Sequence, residues 1–217
     1  MLSNVMFQRR AKLEGQSDVL TFGDHRFRRT HTWEAYCGEP HIVGRVISVV
    51  YSVHWYGAGA AHPNMHFETF CFLLDPLVHL KSLDDLFESP DNALPVLQHE
   101  IRGKLLSVES GEGSGEAYQL DKEWVERGTQ EWSDLTAFAF VEDGIEFLFG
   151  PYQVAPYAFG AQIAKVEYGS LVKLMRKEWS AALGIQYMTY DRPTWTSPER
   201  DPQTNGASAD EEKDAPE

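Results

Sequence analysis

One stretch near the end of the chain limits the fold more than any other. Gly-Pro-Tyr-Gln-Val-Ala-Pro-Tyr-Ala-Phe-Gly, residues 150–160, lies between two strand-like runs at 145–149 and 162–168. Proline fixes φ and lacks a backbone donor, so neither Pro151 nor Pro156 fits inside a central strand. The stretch must be a shaped connection between two strands, held in place by its own large rings. Tyr152 and Tyr157 can bury those rings and hydrogen-bond the backbone that the prolines leave irregular, so both are expected to be largely buried. Shaped loops also form binding sites, which makes the same two tyrosines candidate ligand-facing residues.

The strongest strand signal is residues 45–56, rich in β-branched and aromatic side chains. Ser48, Ser52 and His54 alternate there with Ile47, Val49, Tyr51, Val53 and Trp55, giving one apolar and one mixed face. A small-residue loop follows at 57–64, then a return strand at 66–74 that Asp75-Pro76 ends. The pair reads as a long antiparallel hairpin. Asp143-Gly144 between β-rich runs predicts a second hairpin. A short strand is expected at 78–80, and residues 26–32 also have strand character.

Helical spacing is clear at 94–108, where Leu94, Leu97, Ile101, Leu105 and Val108 share a face. Ser82 with Asp85 three residues on resembles an N-cap. Residues 122–135 allow another helix, weakened by Gly128, and 170–179 a final one. Hairpins with helices grouped between them predict an α+β fold. Its antiparallel sheet is built from hairpins, with two to four helices packed on one face. The expected organisation is a flexible or weakly ordered segment at 1–30, one α+β domain at 31–190, and a disordered acidic tail at 191–217. Gly111-Glu-Gly-Ser-Gly115 reads as a flexible surface loop.

The formal charge of −14 argues against nucleic acid or an anionic membrane as the main partner. No run reaches the ~20 apolar residues of a membrane span. The first residues lack the apolar run of an export signal, so a cytoplasmic location follows if Met1 is the true start. Cys37 and Cys71 leave the redox compartment open. Either they pair in an oxidising compartment, or Cys71 is a small core residue in its apolar run.

Polar residues that can carry chemistry gather around the first hairpin loop: His54, His62 and His66, with Asn64 and Glu68. A catalytic zinc would need three such ligands and an open position. Register decides whether they converge. Trp55 opposite His66 would set His54 against Phe67 and point His54 and His66 to opposite faces; a slip of one residue would set His54 directly against His66. The loop lacks a P-loop lysine, no Gly-x-Ser-x-Gly elbow occurs, and neither cysteine sits in a nucleophile motif. Asp84-Asp85 and Glu142-Asp143 have local uses at a helix start and a turn. No catalytic residue, metal ligand or cofactor is assigned. The candidate binding residues are His62, Asn64, His54, His66, Tyr152 and Tyr157.

Two motifs together resemble a known family. Gly59-Ala-Ala-His62-Pro63-Asn64 followed by Leu83-Asp-Asp-Leu-Phe87 is the first. Asp143-Gly144 through Phe147, then Pro151-Tyr152-x-Val-Ala-Pro156-Tyr157-Ala-x-Gly160 and a strand ending at Tyr168, is the second. They are similar, from about residue 46 to 174, to the domain of unknown function that forms the C-terminal part of RsiV-type anti-sigma factors and accompanies some peptidoglycan deacetylases. The resemblance implies an extracytoplasmic α+β module of bacteria. In the RsiV-type proteins the corresponding region binds lysozyme, a basic protein, which an acidic surface suits. In the residues given, neither a transmembrane helix nor a sigma-binding segment is expected. The leading expectation is a non-catalytic envelope module that binds a lysozyme-like basic protein or a cell-wall glycan. The alternative is a hydrolase acting on envelope glycan through the His62 loop, with or without a metal.

Overall fold

The computed structural model describes residues 19–22, 25–28, 31–57, 59–107 and 119–185. The expected acidic tail, the glycine-rich loop at 111–115 and most of the segment at 1–30 lie outside the described residues. The class is α+β, with antiparallel strands throughout. Strands β1 (Val19–Phe22) and β2 (His25–Arg28) pair with each other. A larger sheet follows from β3 (Thr32–Cys37), β4 (His41–Val43), β5 (Val46–Tyr56), β6 (Asn64–Leu73) and β7 (Val78–Leu80). Its order is β3-β5-β6-β7, with β4 beside the first residues of β5. The second hairpin forms β8 (Phe138–Val141) and β9 (Gly144–Phe149), and β10 (Gln162–Glu167) completes a three-stranded sheet in the order β10-β9-β8.

The core lies on one face of that smaller sheet. Cross-strand partners share a face, so the rows Phe138, Phe147, Ala164 and Phe140, Ile145, Val166 point the same way, and all six are buried. Against them come Leu97, Ile101 and Leu105 of α1 (Pro90–Ser107), spaced so that each returns to the same helix face. Helix α2 (Lys122–Arg127) begins on Asp121, whose carboxylate accepts the Trp124 N–H. It stops at Gly128, where a Cβ would collide with the Gln153 carbonyl, and a separate helical turn, Trp132–Asp134, replaces the second half of the expected helix. The final helix is likewise divided. Between α3 (Tyr168–Leu171) and α4 (Lys177–Ala182), Met175 bridges to Phe87 in extended form, and the Arg176 N–H donates to the Leu86 carbonyl. Trp179 of α4 stacks on Phe140, so the break lets the chain turn back over the core.

The two larger sheets meet edge to face. The outer edge of β8 presents the Phe138 and Phe140 N–H groups, which would be costly to bury unpaired. Hydroxyls on the β5–β6 face accept them: Thr69 Oγ1 from Phe138 at 3.2 Å and Ser48 Oγ from Phe140 at 2.9 Å. Ser48 is therefore fully buried although it stands on the mixed face of β5. Val46, Cys71 and Leu73 are buried on that same face, while Ile47, Val49 and Tyr51 of the more apolar face are only half-buried. Small side chains at Ser48 and Cys71 let a strand edge approach, and bulk there would hold it off. Cys71 and Cys37 are both free thiols on opposite faces, since Cys71 pairs across from Ser48 and Cys37 from Tyr51. Among the described residues no helix is long and apolar enough to cross a membrane.

Candidate functional site

The β5–β6 register differs from both registers considered from the sequence: Trp55 lies opposite Asn64, His54 opposite Met65, and Val53 opposite His66. The tight loop accounts for it. Ala60 N–H donates to the Gly57 carbonyl, the Tyr56 hydroxyl donates to the Ala60 carbonyl, and β6 starts at Asn64, whose Oδ1 accepts the Met65 N–H. Side chains at His54 and His66 consequently project to opposite faces. His66 turns away from the other candidates and lies 3.4 Å from Glu68, both well exposed.

Across the fold, the Pro–Tyr stretch at 150–160 closes on this loop. Gly150 permits the approach, since a Cβ there would sit 3.2 Å from the Met65 carbonyl oxygen. From below, the stretch is anchored by buried Val154 and Ala155, and by Gln153, whose amide donates to the Asp134 carbonyl at 2.7 Å. Trp124 Nε1 donates to the Tyr152 carbonyl at 3.1 Å, and the Tyr152 N–H donates to the Ala155 carbonyl. These bonds hold Tyr152 at φ +72, in the left-handed region that side-chain-bearing residues rarely adopt. The residue is 49% exposed, which corrects the expectation that it is largely buried. The anchoring is done by its backbone and its neighbours, leaving the ring outside. Tyr157 is half-buried.

Three of the sequence candidates form one aromatic cluster. The His62 imidazole stacks on Tyr157 with ring centroids 3.9 Å apart, and Tyr152 lies 5.6 Å from Tyr157. His62 Nδ1 is 2.9 Å from the Pro63 carbonyl, which can only accept, so Nδ1 carries the hydrogen. In the neutral ring Nε2 is then an acceptor, and the Tyr152 hydroxyl 3.2 Å away donates to it. The Tyr157 hydroxyl donates to the same Pro63 carbonyl at 2.9 Å. The two sequence motifs thus meet through a hydrogen-bonded ring pile.

Beside this pile runs a groove of about 450 Å³ lined by His54, Pro63, Asn64, Met65, Pro151, Tyr157, Ala158, Gly160 and Ala161. None of these carries a fixed charge. His54, Asn64 and Tyr157 supply polar groups to the lining, while Met65, Ala158 and Ala161 supply apolar surface. Five of the six candidates, His54, His62, Asn64, Tyr152 and Tyr157, are therefore in or beside one site, and His66 is not. Sequence reasoning missed Met65, whose face depends on the register, and the small residues Ala158 and Ala161. Clustered glycine and alanine beside Tyr157 were the available signal.

Groups with displaced pKa values lie elsewhere. Burial pushes the Cys71 thiol up to about 11, against a smaller opposing effect from its hydrogen bond with Ser48. Tyr168 is raised by burial and then by the Asp143 charge, and its hydroxyl donates to the Val141 carbonyl. The exposed Asp143–Lys165 hydrogen bond, at 2.6 Å, lowers the carboxyl and raises the amine. The described residues hold no group of three His, Cys, Asp or Glu side chains placed to share a metal ion.

The fold and site define an α+β protein with an uncharged, aromatic-edged groove between a hairpin tip and a proline-rich connection. Residues 84–169 match the family model described as a protein of unknown function, DUF3298. That match contains the whole Pro–Tyr stretch and begins after the His62 loop. Among solved structures, a DUF3298 family member from Bacteroides fragilis is 20% identical with a TM-score of 0.47, over 71% of this chain and 58% of that one. A DUF3298 family protein from Pseudomonas aeruginosa is 15% identical with a TM-score of 0.46, over 70% of this chain and 63% of that one. The chain spans less than two thirds of the length of either. No curated protein matches it.

Proposed function

We propose that the chain is a non-catalytic module of the bacterial envelope and that its groove takes a cell-wall glycan. The observation that carries this reading is the lining: aromatic and small apolar surface, edged by an amide, an imidazole and a phenol, with no Asp, Glu, Lys or Arg. Ligand sites of this kind combine apolar contact with a few placed polar groups. A pyranose ring offers the complement, with C–H faces to lie on Tyr157 and hydroxyls for His54 and Asn64. Glycoside hydrolysis in most families uses two carboxyl groups flanking the bond, and the lining has neither. The Asn64 Oδ1 is occupied by the Met65 N–H, which leaves its amide N–H groups to donate. The likeness of the Pro–Tyr stretch to envelope-associated domains supports an extracytoplasmic location.

A second reading, favoured by the net charge of −14, is a basic lysozyme-like protein as the partner. Salt separates the two. Retention on purified peptidoglycan that persists at high salt, and falls in a folded Tyr157→Ala variant, supports the glycan. Retention of a basic protein at low salt only, with no glycan bound, would overturn it in favour of the second reading.

A further inference from the structure

We propose that the groove is one end of a longer saccharide track whose far subsite is Tyr36 on β3; this rests on the glycan reading of the groove. Strand β3 pairs with the distal half of β5, so Glu34 lies opposite His54 and Tyr36 opposite Ser52. Tyr36 is therefore on the same face as His54 and Met65. Its ring meets the His54 imidazole edge to face at a centroid distance of 5.5 Å, so Tyr36 adjoins the His54 wall of the groove. The residue is 38% exposed, and its hydroxyl donates to Glu34 Oε2 at 2.6 Å.

The resulting strip has a repeating chemistry. An exposed residue at Tyr36 is followed by the His54 imidazole, then by Met65 with Ala158 and Ala161, and then by the Tyr157–His62–Tyr152 pile. Neighbouring strands are about 4.8 Å apart, so the path from β3 across β5 and β6 to the Pro–Tyr stretch is on the order of 14 Å. That is longer than a disaccharide. Rings separated by hydrogen-bonding groups suit a linear chain of sugars, each with apolar faces and an equatorial belt of hydroxyls. The Glu34 carboxylate can also accept sugar hydroxyls. The hydrogen bond that holds Tyr36 in place reduces the ordering cost of using its ring.

Calorimetric titration with chitin-type oligosaccharides, from the disaccharide to the hexasaccharide, tests the track on the wild type, Tyr36→Ala and Tyr36→Phe. Affinity is expected to rise with length in the wild type. In Tyr36→Ala the advantage of the hexasaccharide over the disaccharide should fall roughly two- to tenfold, the range for one lost ring contact. Tyr36→Phe keeps the ring and should keep most of that advantage. A flat length profile in the wild type, or an undiminished advantage in a folded Tyr36→Ala, overturns the track and leaves the glycan reading intact. Binding of a lysine-rich peptide with no response to any oligosaccharide overturns both. Should Tyr36→Ala unfold, the wild-type length profile and Tyr36→Phe still decide.

Discussion

Replacing Tyr152 separates what its backbone does from what its ring does. At φ +72 a side-chain-bearing residue carries about 1–2 kcal/mol of strain, which glycine does not. Glycine also has a freer unfolded chain, worth about 0.4–1 kcal/mol against it. The difference favours Tyr152→Gly over Tyr152→Ala by roughly 0.5–1 kcal/mol. Both variants lose the contact with Tyr157 and the hydrogen bond to His62, which for a residue 49% exposed are together worth only about 0.5–1 kcal/mol. Tyr152→Gly should therefore sit within about 0.5 kcal/mol of the wild type, and Tyr152→Ala about 0.5–1 kcal/mol below it. Urea midpoints at constant m-value report this, as does a gap between the variants of about 2–4 °C in Tm per kcal/mol for a chain of this length. Glycan affinity should drop in both variants. If the alanine variant proves at least as stable as the glycine variant, the left-handed backbone is wrong. If glycine costs more than about 3 kcal/mol, the ring belongs to the core and the binding role is lost with it.

Two further predictions follow from the junction between the sheets. Ser48→Ala leaves the Phe140 N–H buried without its acceptor and should cost about 1–3 kcal/mol; a loss below about 0.5 kcal/mol by chemical denaturation would contradict the edge-to-face closure. Cys71 should resist thiol labelling in the folded protein and react only on unfolding. Its pKa is raised from 9.0 to about 11, so between those values the unfolded thiol has released its proton while the folded one keeps it. Stability is then fully present below pH 9 and declines toward pH 11, by on the order of 2–3 kcal/mol. Cys71→Ala should shrink that decline, leaving the part above pH 10 to which buried Tyr168 contributes, and an unchanged alkaline slope in this variant would refute the assignment.

Strand existence was legible because alternation at 45–56 and the Asp143-Gly144 turn are local signals, and α1 because its apolar residues recur at helical spacing. Pro151 and Pro156 likewise announced a shaped connection. What local pattern did not reveal was which face of β5 meets the core. Burying Ser48 on the mixed face makes sense only once the β8 edge is known to need acceptors. The β5–β6 register was also hidden, since it depends on a loop held in part by Tyr157 bonding to Pro63, 94 residues apart in sequence. Tyr152 followed the same logic. Large rings are usually buried, but here Trp124, Gln153 and Ala155 hold the connection and free the ring. Five of the six candidate residues are thus neighbours in the fold, while the register sets His66 apart and brings Met65 and Tyr36 to the same face as His54.

The central claim is that the hairpin tip and the Pro–Tyr stretch together bind a glycan. The most direct test is a nuclear magnetic resonance titration of the folded chain with a chitin-type tetrasaccharide, following the imidazole and tyrosine ring protons. Saturable shifts are expected at His54, His62, Tyr152 and Tyr157, with His66 unmoved on the opposite face of the sheet. Shifts confined to His66 and the half-exposed Phe72–His79 pair, or none at all, would contradict it.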